Sequence, residues 1–340
     1  MLRNIYQWLP GYLASRKRGA FVSPTHLFFC FVDHYEPLWN AGHGKSRVQH
    51  WLDNYPKLAR FRDVDGKPPQ HSFFYPAEEY RPEFLDDLAS LCRQGFGEVE
   101  IHLHHRNDTA ENLRAGLLDF KTKLKSHGFL SLDRYGFIHG NWCLDNSRHD
   151  GDWCGVNNEL LVLKETGCYA DFTLPSAPSD TQTRKVNSIY YATDDPQKPK
   201  SHDTGADVRV GGQATGDLLI VQGPLALNWR RRKIENADVA GYAPASLERA
   251  RLWLKQRISV AGKPDWIFVK VHTHGCQERN FAAALDGKLH EALAQLPVKL
   301  HYVTARETYN LIKAAEAGQT GDPARYRDFV LPPPPVCRTT

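Results

Sequence analysis

The chain has 340 residues, of which 41% are hydrophobic and 24% charged, and its formal net charge is +4 at pH 7. This length suits one large α/β domain or two ordinary ones, and the composition is that of a globular protein. So small a charge gives no reason to expect nucleic acid as a partner. No apolar run approaches the ~20 residues of a membrane span, so no transmembrane segment is predicted.

The N-terminal segment and the cysteines together predict a cytoplasmic location. Residues 1–19 lack an uninterrupted apolar stretch and a small-residue cleavage site, so they do not resemble a secretory signal. The seven cysteines are scattered singly, without a CxxC pair. This spacing favours reduced thiols and argues against a zinc ribbon or a disulfide scaffold.

After a polar N-terminal arm at 1–19, short apolar runs alternate with longer segments of helical period. Strands are predicted at 26–33, 71–76, 98–104, 135–140, 168–175, 216–223, 266–275 and 299–304. Helices are predicted at 82–95, 109–128, 157–167, 245–257, 281–296 and 305–317. This alternation predicts βαβ units and a parallel sheet. Seven or eight units in one chain favour a single distorted (β/α) barrel over residues 20–320.

Two long polar stretches and a proline-rich end interrupt this pattern. Residues 34–70 and 176–215 follow predicted strand ends, so in a barrel they would lie on the C-terminal face, where barrel enzymes place their chemistry. Residues 321–340 are predicted to be an extended tail rather than a domain.

Aspartate and histidine lie at or near the C-terminal ends of five predicted strands. In EVEIHLHH the apolar residues 99, 101 and 103 share one face, so Glu98, Glu100, His102 and His104 share the other, inward face. Imidazole and carboxylate are the ligands that borderline divalent metals prefer, so the pattern predicts a catalytic metal site, with zinc as the first choice. The strand-end residues are Asp33, His102, His104, His139, Asp171, His272 and His274.

Three of these stretches resemble motifs of the polysaccharide deacetylases, the NodB-homology or carbohydrate esterase 4 family. FVDHYEP resembles the first motif, Thr-Phe-Asp-Asp-Gly; EIHLH followed by Asp108 resembles Glu-Ile-x-x-His-x-x-x-His; and VKVHTHG resembles the late Leu-x-His motif. The resemblance covers roughly residues 26–315. It implies a distorted (β/α) barrel, a divalent metal, and removal of an N-acyl group, chiefly N-acetyl, from an amino sugar of a glycan or its precursor. The implied substrate is a carbohydrate of surface polysaccharide biosynthesis.

The resemblance also implies a set of roles. Asp33 would be the general base and His272 the general acid. The family's second aspartate is His34 here and its second ligand histidine is Asp108, so a compensated exchange would leave His34, His104 and Asp108 as the metal ligands. This set preserves the spacing and the ligand count.

In the alternative ligand set, His102 and His104 hold the metal together with Asp33, which leaves the base unassigned. Further candidate ligands are His105 and Glu36. Because imidazole ligands must be neutral, metal affinity is expected to fall below about pH 6.

The family's third motif, Arg-x-Pro, has no clear match, and HGNW at 139–142 occupies its place in the order. Candidate substrate contacts are His139, Asn141, Trp142, Asp171 and His274. Two other functions are compatible with the sequence. One is a non-catalytic carbohydrate-binding relative of the deacetylases, and the other is a glycoside hydrolase that uses Asp33 and Glu36 as paired carboxylates.

Overall fold

A computed structural model describes residues 3–16, 22–23, 25–40 and 43–338. The helices are α1 Ile5–Ser15, α2 Gly44–Asn54, α3 Pro82–Arg93, α4 Ala110–Ser126, α5 Glu159–Thr166, α6 Leu247–Lys255, α7 Phe281–Leu285, α8 Lys288–Ala294 and α9 Ala305–Glu316. The strands are β1 His26–His34, β2 His71–Pro76, β3 Gly97–Leu103, β4 Tyr135–His139, β5 Cys168–Asp171, β6 Ile189–Ala192, β7 Ala206–Asp207, β8 Leu218–Val221, β9 Ala226–Asn228, β10 Lys233–Glu235, β11 Trp266–Thr273 and β12 Lys299–Val303.

Within the described residues ten strands form a mainly parallel sheet, in which β1 lies next to the edge strand β11 and pairs with three neighbours. β11 pairs with one edge of β1, while β12 and β2 share the other edge. From β2 the sheet continues in parallel through β3, β4, β5 and β8, and the antiparallel strands β6 and β7 extend it. The α/β class and the parallel sheet that the sequence predicts are confirmed.

The sheet is curved, but strand pairing does not close it into a barrel. Lys270 of β11 donates from Nζ to the carbonyl oxygens of Phe172 and Leu174, which follow β5, so the two ends of the sheet approach each other. Within the described ranges, however, no strand ladder joins β11 to β8. Helix α9 packs Leu311 and Ile312 against the inner face and contacts both β1 and β4. The helix thus fills space inside the curve that a barrel interior of strand side chains would occupy.

The two faces of β1 carry different residues because side chains alternate along a strand. Phe29 and Phe31 pack on the outer face with Trp253 of α6 and Leu289 of α8. Phe28, Cys30 and Val32 pack on the inner face with α9. By the same alternation Asp33 leaves the strand on the outer face, and His34 leaves it on the inner face.

All predicted helices are present. At the start of α4 the Thr109 hydroxyl accepts a hydrogen bond from the Asn112 N–H and caps the helix. The predicted helix 281–296 is divided into α7 and α8 at Gly287, whose φ is +88°. The stretches predicted to be irregular contain α2, β6 and β7, which the sequence analysis did not identify.

The described parts of both terminal segments pack onto the sheet domain. Residues 3–16 of the predicted arm include helix α1, which buries Trp8 and Tyr12 against Val186 and Leu225. In the predicted tail, Arg327 and Leu331 are buried. Residues 1–2, 17–19 and 339–340 of these two predicted segments lie outside the described residues. None of the helices in the described ranges is long and apolar enough to cross a membrane.

Candidate metal centre

Four histidines and one glutamate converge at the carboxyl ends of β1, β3 and β11. We call this group the histidine cluster; its members are His34, Glu36, His102, His104 and His274. Two overlapping subsets, one with His34 and His274 and the other with His102 and His104, each bring their ligand atoms within 4.8 Å of one another and of Glu36. Glu36 belongs to both subsets, so its carboxylate lies at the centre of the cluster.

The two histidines of β3 direct the same ring nitrogen at Glu36. The Nε2 atoms of His102 and His104 lie 3.4 and 3.3 Å from Glu36 Oε1. Their other ring nitrogens are already engaged, since His102 Nδ1 lies 2.8 Å from the Ile138 carbonyl oxygen and His104 Nδ1 lies 2.6 Å from Glu78 Oε1. A carbonyl or carboxylate on one imidazole nitrogen is the arrangement that orients the other nitrogen toward a metal.

The remaining rings complete a compact group. The His34 ring centroid lies 4.6 Å from that of His274 and 4.7 Å from that of His102. Burial lowers the pKa of His34 well below its ordinary value, and the neighbouring imidazoles, His274 first, lower it further. A neutral imidazole of this kind keeps a lone pair available as a metal ligand.

Glu36 provides the test of whether these residues fit a cation. Its Oε2 is buried and has no hydrogen-bond partner, and in the described part of the chain its ion-pair partners are only His102 and His104. A buried carboxylate surrounded by imidazoles and without lysine or arginine matches the donor set of a borderline divalent metal. The side chain of His104 is 20% exposed, which leaves this side of the cluster open to solvent.

Asp108 does not join His34 and His104, although the sequence analysis placed these three residues at one metal. Its Oδ2 accepts a hydrogen bond from His105 Nδ1 at 3.0 Å, and its backbone N–H donates to the Cys154 carbonyl oxygen. The physical reason is the turn after β3, where the left-handed Asn107 (φ +51°) redirects the chain. The spacing of His104 and Asp108 in the sequence therefore does not bring their side chains to one metal, because the chain turns after the strand ends.

Asp33 is also displaced from the predicted position. It is fully buried on the outer face, where Oδ1 accepts from the Gly275 N–H at 2.7 Å and Oδ2 lies 3.0 Å from His71 Nε2. With both oxygens engaged, the carboxylate is not placed to take a proton from a water molecule or to bind the metal with His102 and His104. Its hydrogen bond to Gly275 instead fixes the turn that carries His274.

His272 lies beside the histidine cluster, with its ring centroid 6.2 Å from that of His34. Its Nε2 is 4.0 Å from Asp238 Oδ1, and the two residues are also joined by a backbone bridge. Burial lowers the pKa of His272 to about 4, so the ring is neutral at pH 7. Beyond Asp238, a cleft of about 300 Å³ extends along Tyr242 and the basic run 231–233.

The predicted substrate contacts divide into several environments. His274 joins the histidine cluster, whereas His139 and the candidate ligand His105 belong to a second group of ligand atoms. Asn141 is exposed and Trp142 is half-buried at the rim. Asp171 is fully buried and accepts from Thr173 at 2.7 Å, so it cannot touch a substrate.

Sequence reasoning missed Glu78 and Asp238 and gave Glu36 only a secondary rank. Glu78 follows the carboxyl end of β2, so the strand-end criterion that selected the histidines could have found it. Asp238 lies on no strand, and its position beside His272 depends on a backbone bridge that no local pattern predicts.

Comparison with known proteins places these residues in no established family. No protein-family model matches the chain, and no curated protein matches it. Among solved structures, an α-mannosidase from Enterococcus faecalis V583 is similar to 88% of this chain, with a TM-score of 0.47 and 10% sequence identity. The chain spans 30% of the length of that mannosidase.

Proposed function

We propose that the chain is a metal-dependent hydrolase that removes an N-acyl group, chiefly N-acetyl, from an amino sugar of a glycan or glycan precursor. One observation carries the proposal: four histidines converge on a buried carboxylate at the ends of parallel strands. Residues of this kind at this end of the strands are typical of a catalytic rather than a structural metal site.

His34, Glu36, His102, His104 and His274 supply the candidate ligands. A divalent cation bound there would polarise the acyl oxygen and lower the pKa of a bound water toward ~7. Such a cation needs about three protein ligands and an open position, and the partly exposed side of His104 leaves room for a substrate.

His272 is the residue that we assign to proton transfer. Its neutral ring can accept a proton from the attacking water and then donate that proton to the leaving amine. Asp238, whose Oδ1 is 4.0 Å from His272 Nε2, would stabilise the charged imidazolium between these two steps. This assignment replaces Asp33 as the base, because both oxygens of Asp33 are already bonded.

The resemblance of the strand-end motifs to polysaccharide deacetylases supports an amide of an amino sugar as the substrate. Two half-buried tryptophans of the loop after β4, Trp142 and Trp153, offer ring faces of the type that stack on sugars. The glycoside hydrolase alternative loses support, since Asp33 faces the outer helices while Glu36 faces the imidazoles. With both oxygens bonded, Asp33 is not placed to act as the second carboxylate that such a hydrolase needs.

Release of acetate from N-acetylglucosamine oligomers by the zinc-loaded chain tests the proposal. His272→Gln should lower kcat by about 10²–10⁴-fold, as expected for loss of a general acid–base group, with an unchanged metal content. As a matched control, His127→Gln replaces a histidine at the end of α4 that pairs with Asp86 and should keep full activity.

Two results would contradict the proposal. One is a wild-type chain with a full complement of metal that releases no acetate from oligomeric, lipid-linked or nucleotide-linked acetylamino sugars. That outcome would favour the non-catalytic carbohydrate-binding alternative, which equilibrium binding of the same sugars would detect. The other is an unchanged kcat in His272→Gln, which would remove His272 from the reaction.

A further inference from the structure

A second group of ligand atoms lies next to the histidine cluster but shares no residue with it. We call it the cysteine cluster; its members are His105, His139, Cys154 and Glu159, and their ligand atoms all lie within 4.8 Å of one another. They come from four segments: the residues after β3, the end of β4, the following loop and the first residue of α5. All four side chains are buried or nearly so.

The two imidazoles of the cysteine cluster are oriented like metal ligands. His139 donates from Nδ1 to the Gly140 carbonyl oxygen at 2.6 Å, so its Nε2 carries the lone pair. That Nε2 is fully buried, lies 3.5 Å from Glu159 Oε1 and has no hydrogen-bond partner. His105 donates from Nδ1 to Asp108 at 3.0 Å and directs Nε2 at the same Glu159 oxygen at 3.2 Å. A buried lone pair without a partner is costly unless something fills the space before it.

The sulfur of Cys154 lies among hydrogen-bonding groups of the loop. The backbone N–H groups of Asn146 and Val156 donate to Sγ at 3.2 and 3.4 Å. Burial, and after it the Glu159 carboxylate, raises the pKa of the thiol, so without a metal the sulfur keeps its proton, which a metal ion would displace. Sγ also lies 3.4 Å from Glu159 Oε2. A thiolate and a carboxylate so close together in a buried site require a cation between them, or else a proton on the sulfur.

The geometry points to a second metal site, in which His105, His139, Cys154 and Glu159 bind one divalent ion of the zinc type. Two imidazoles, one thiolate and one carboxylate suit a borderline-soft metal, and four protein ligands close a tetrahedral shell. A closed shell has no position for substrate, so this ion is structural. It would fasten the loop that carries Trp142 and Trp153 to the ends of β3 and β4.

Cobalt(II) distinguishes the two clusters, because only the cysteine cluster contains sulfur. The full chain, freed of metal and titrated with Co²⁺, should take up two equivalents and develop a near-ultraviolet sulfur-to-cobalt charge-transfer band. Cys154→Ser should lose the band and one equivalent of metal. The matched control Cys143→Ser changes another buried cysteine of the same loop, whose Sγ contacts the Asn141 carbonyl oxygen, and should keep both equivalents and the band.

The result for the second metal site can be distinguished from the result for the proposed hydrolase. His102→Ala should lose one equivalent of metal and the acetate release while keeping the charge-transfer band. A wild-type chain that binds one equivalent without the band, or a band that survives Cys154→Ser, would overturn the second site and leave the hydrolase proposal standing. The wild-type spectrum alone decides this even if Cys154→Ser fails to fold.

Discussion

Two clusters of carboxylate and imidazole lie near opposite ends of β1 and have different electrostatic environments. The histidine cluster adjoins His34, the last residue of the strand. The other cluster, Asp63, Asp65 and His301, adjoins His26, the first residue, about 26 Å away at ~3.3 Å per residue. Both sets bring three or more potential ligand atoms within 4.8 Å. By residue type and proximity alone, either could be taken for a metal site.

The two clusters differ in whether they already contain a cation, and Arg327 supplies one to the cluster near His26. Its guanidinium donates to Asp63, Asp65 and Glu307 at 3.1, 2.6 and 2.9 Å, so the cluster near His26 already contains its cation; we call it the arginine cluster. Glu36 has no such partner in the described part of the chain, and its Oε2 accepts no hydrogen bond. A metal site is therefore distinguished by lone pairs without partners rather than by the number of its acidic and imidazole groups.

Removal of the arginine should give the largest effect and should act on stability alone. Arg327→Met removes the guanidinium shared by the buried carboxylates of Asp63 and Glu307 and the partly exposed Asp65, and leaves only Lys67 near Glu307, so the free energy of unfolding should fall by about 3–5 kcal/mol. Urea unfolding measures this change, and elemental analysis should find the metal content unchanged. Arg325→Met, an exposed arginine of the same turn, should change stability by less than about 0.5 kcal/mol. A loss of metal in Arg327→Met would remove the distinction between the clusters.

Removal of a ligand from the histidine cluster should act on metal binding instead. Loss of a residue that only hydrogen-bonds to a metal ligand weakens metal affinity by about 10–100-fold. His102→Ala removes a ligand itself, so its dissociation constant should rise more than about 100-fold, or about 2.7 kcal/mol. Competition with a chelating dye measures it. Asp65→Asn in the arginine cluster serves as the control, and an equal loss of affinity there would show that the wrong cluster has been assigned.

Gly140 tests the position of His104 without touching a ligand. A Cβ at residue 140 would lie 2.2 Å from His104 Cδ2, so Gly140→Ala must push the ring from its place against Glu36. Metal affinity should fall by about 10–100-fold, the range for a misplaced ligand, with little change in unfolding free energy at saturating metal. At Gly116 of α4 an added Cβ meets nothing within 4 Å, so Gly116→Ala should bind metal normally. Equal affinities of the two variants would exclude His104 from the site.

The strands, helices and inward-facing histidines could be predicted because each depends on local periodicity. Period two placed His102 and His272 correctly on the inner face, and applied strictly it would also have placed Asp33 on the outer face. The resemblance to the first deacetylase motif instead made Asp33 the expected base at the metal, beside the ligand His34. Side chains of adjacent strand residues point to opposite faces, however, so Asp33 and His34 cannot both face the metal. This error came from ranking a motif above the geometry of the strand that carries it.

The rest depends on contacts between distant segments. Glu36 and Asp108 lie past strand ends, where periodicity no longer fixes direction. Cys154 is the fourth of seven scattered cysteines, and only the fold brings it to His139. Helix α9 had been identified, but nothing in its sequence indicated that it would pack on the inner face and leave the sheet curved rather than closed.

The smallest effect is expected from pH: acidification weakens metal binding at the histidine cluster, as it does at ordinary histidine sites, but the loss begins at a higher pH. Burial would lower the pKa of His104, but the hydrogen bonds that its ring donates to the Glu36 and Glu78 carboxylates outweigh burial and raise the pKa to about 10. The metal-free chain therefore carries a proton on His104 at neutral pH, and a metal must displace it. Between about pH 7 and 9, each unit of acidification should weaken metal binding tenfold, or about 1.4 kcal/mol. The loss expected from the sequence, for imidazole ligands with an ordinary pKa, begins only below about pH 6.

Proton release measures the competition directly. In weakly buffered Cys154→Ser protein at pH 8, which removes the thiol from the balance, zinc binding at the histidine cluster should release about one proton per ion. Glu78→Gln removes one of the two carboxylates that hold the proton, so the pKa of His104 should fall and the release at pH 8 should shrink. At the arginine cluster no proton should be released when zinc is added, because its cation is the guanidinium of Arg327, which keeps its protons. Metal affinity that is constant from pH 7 to 9 would show that His104 is neutral before the metal arrives, and that Glu36 is balanced by something other than a proton.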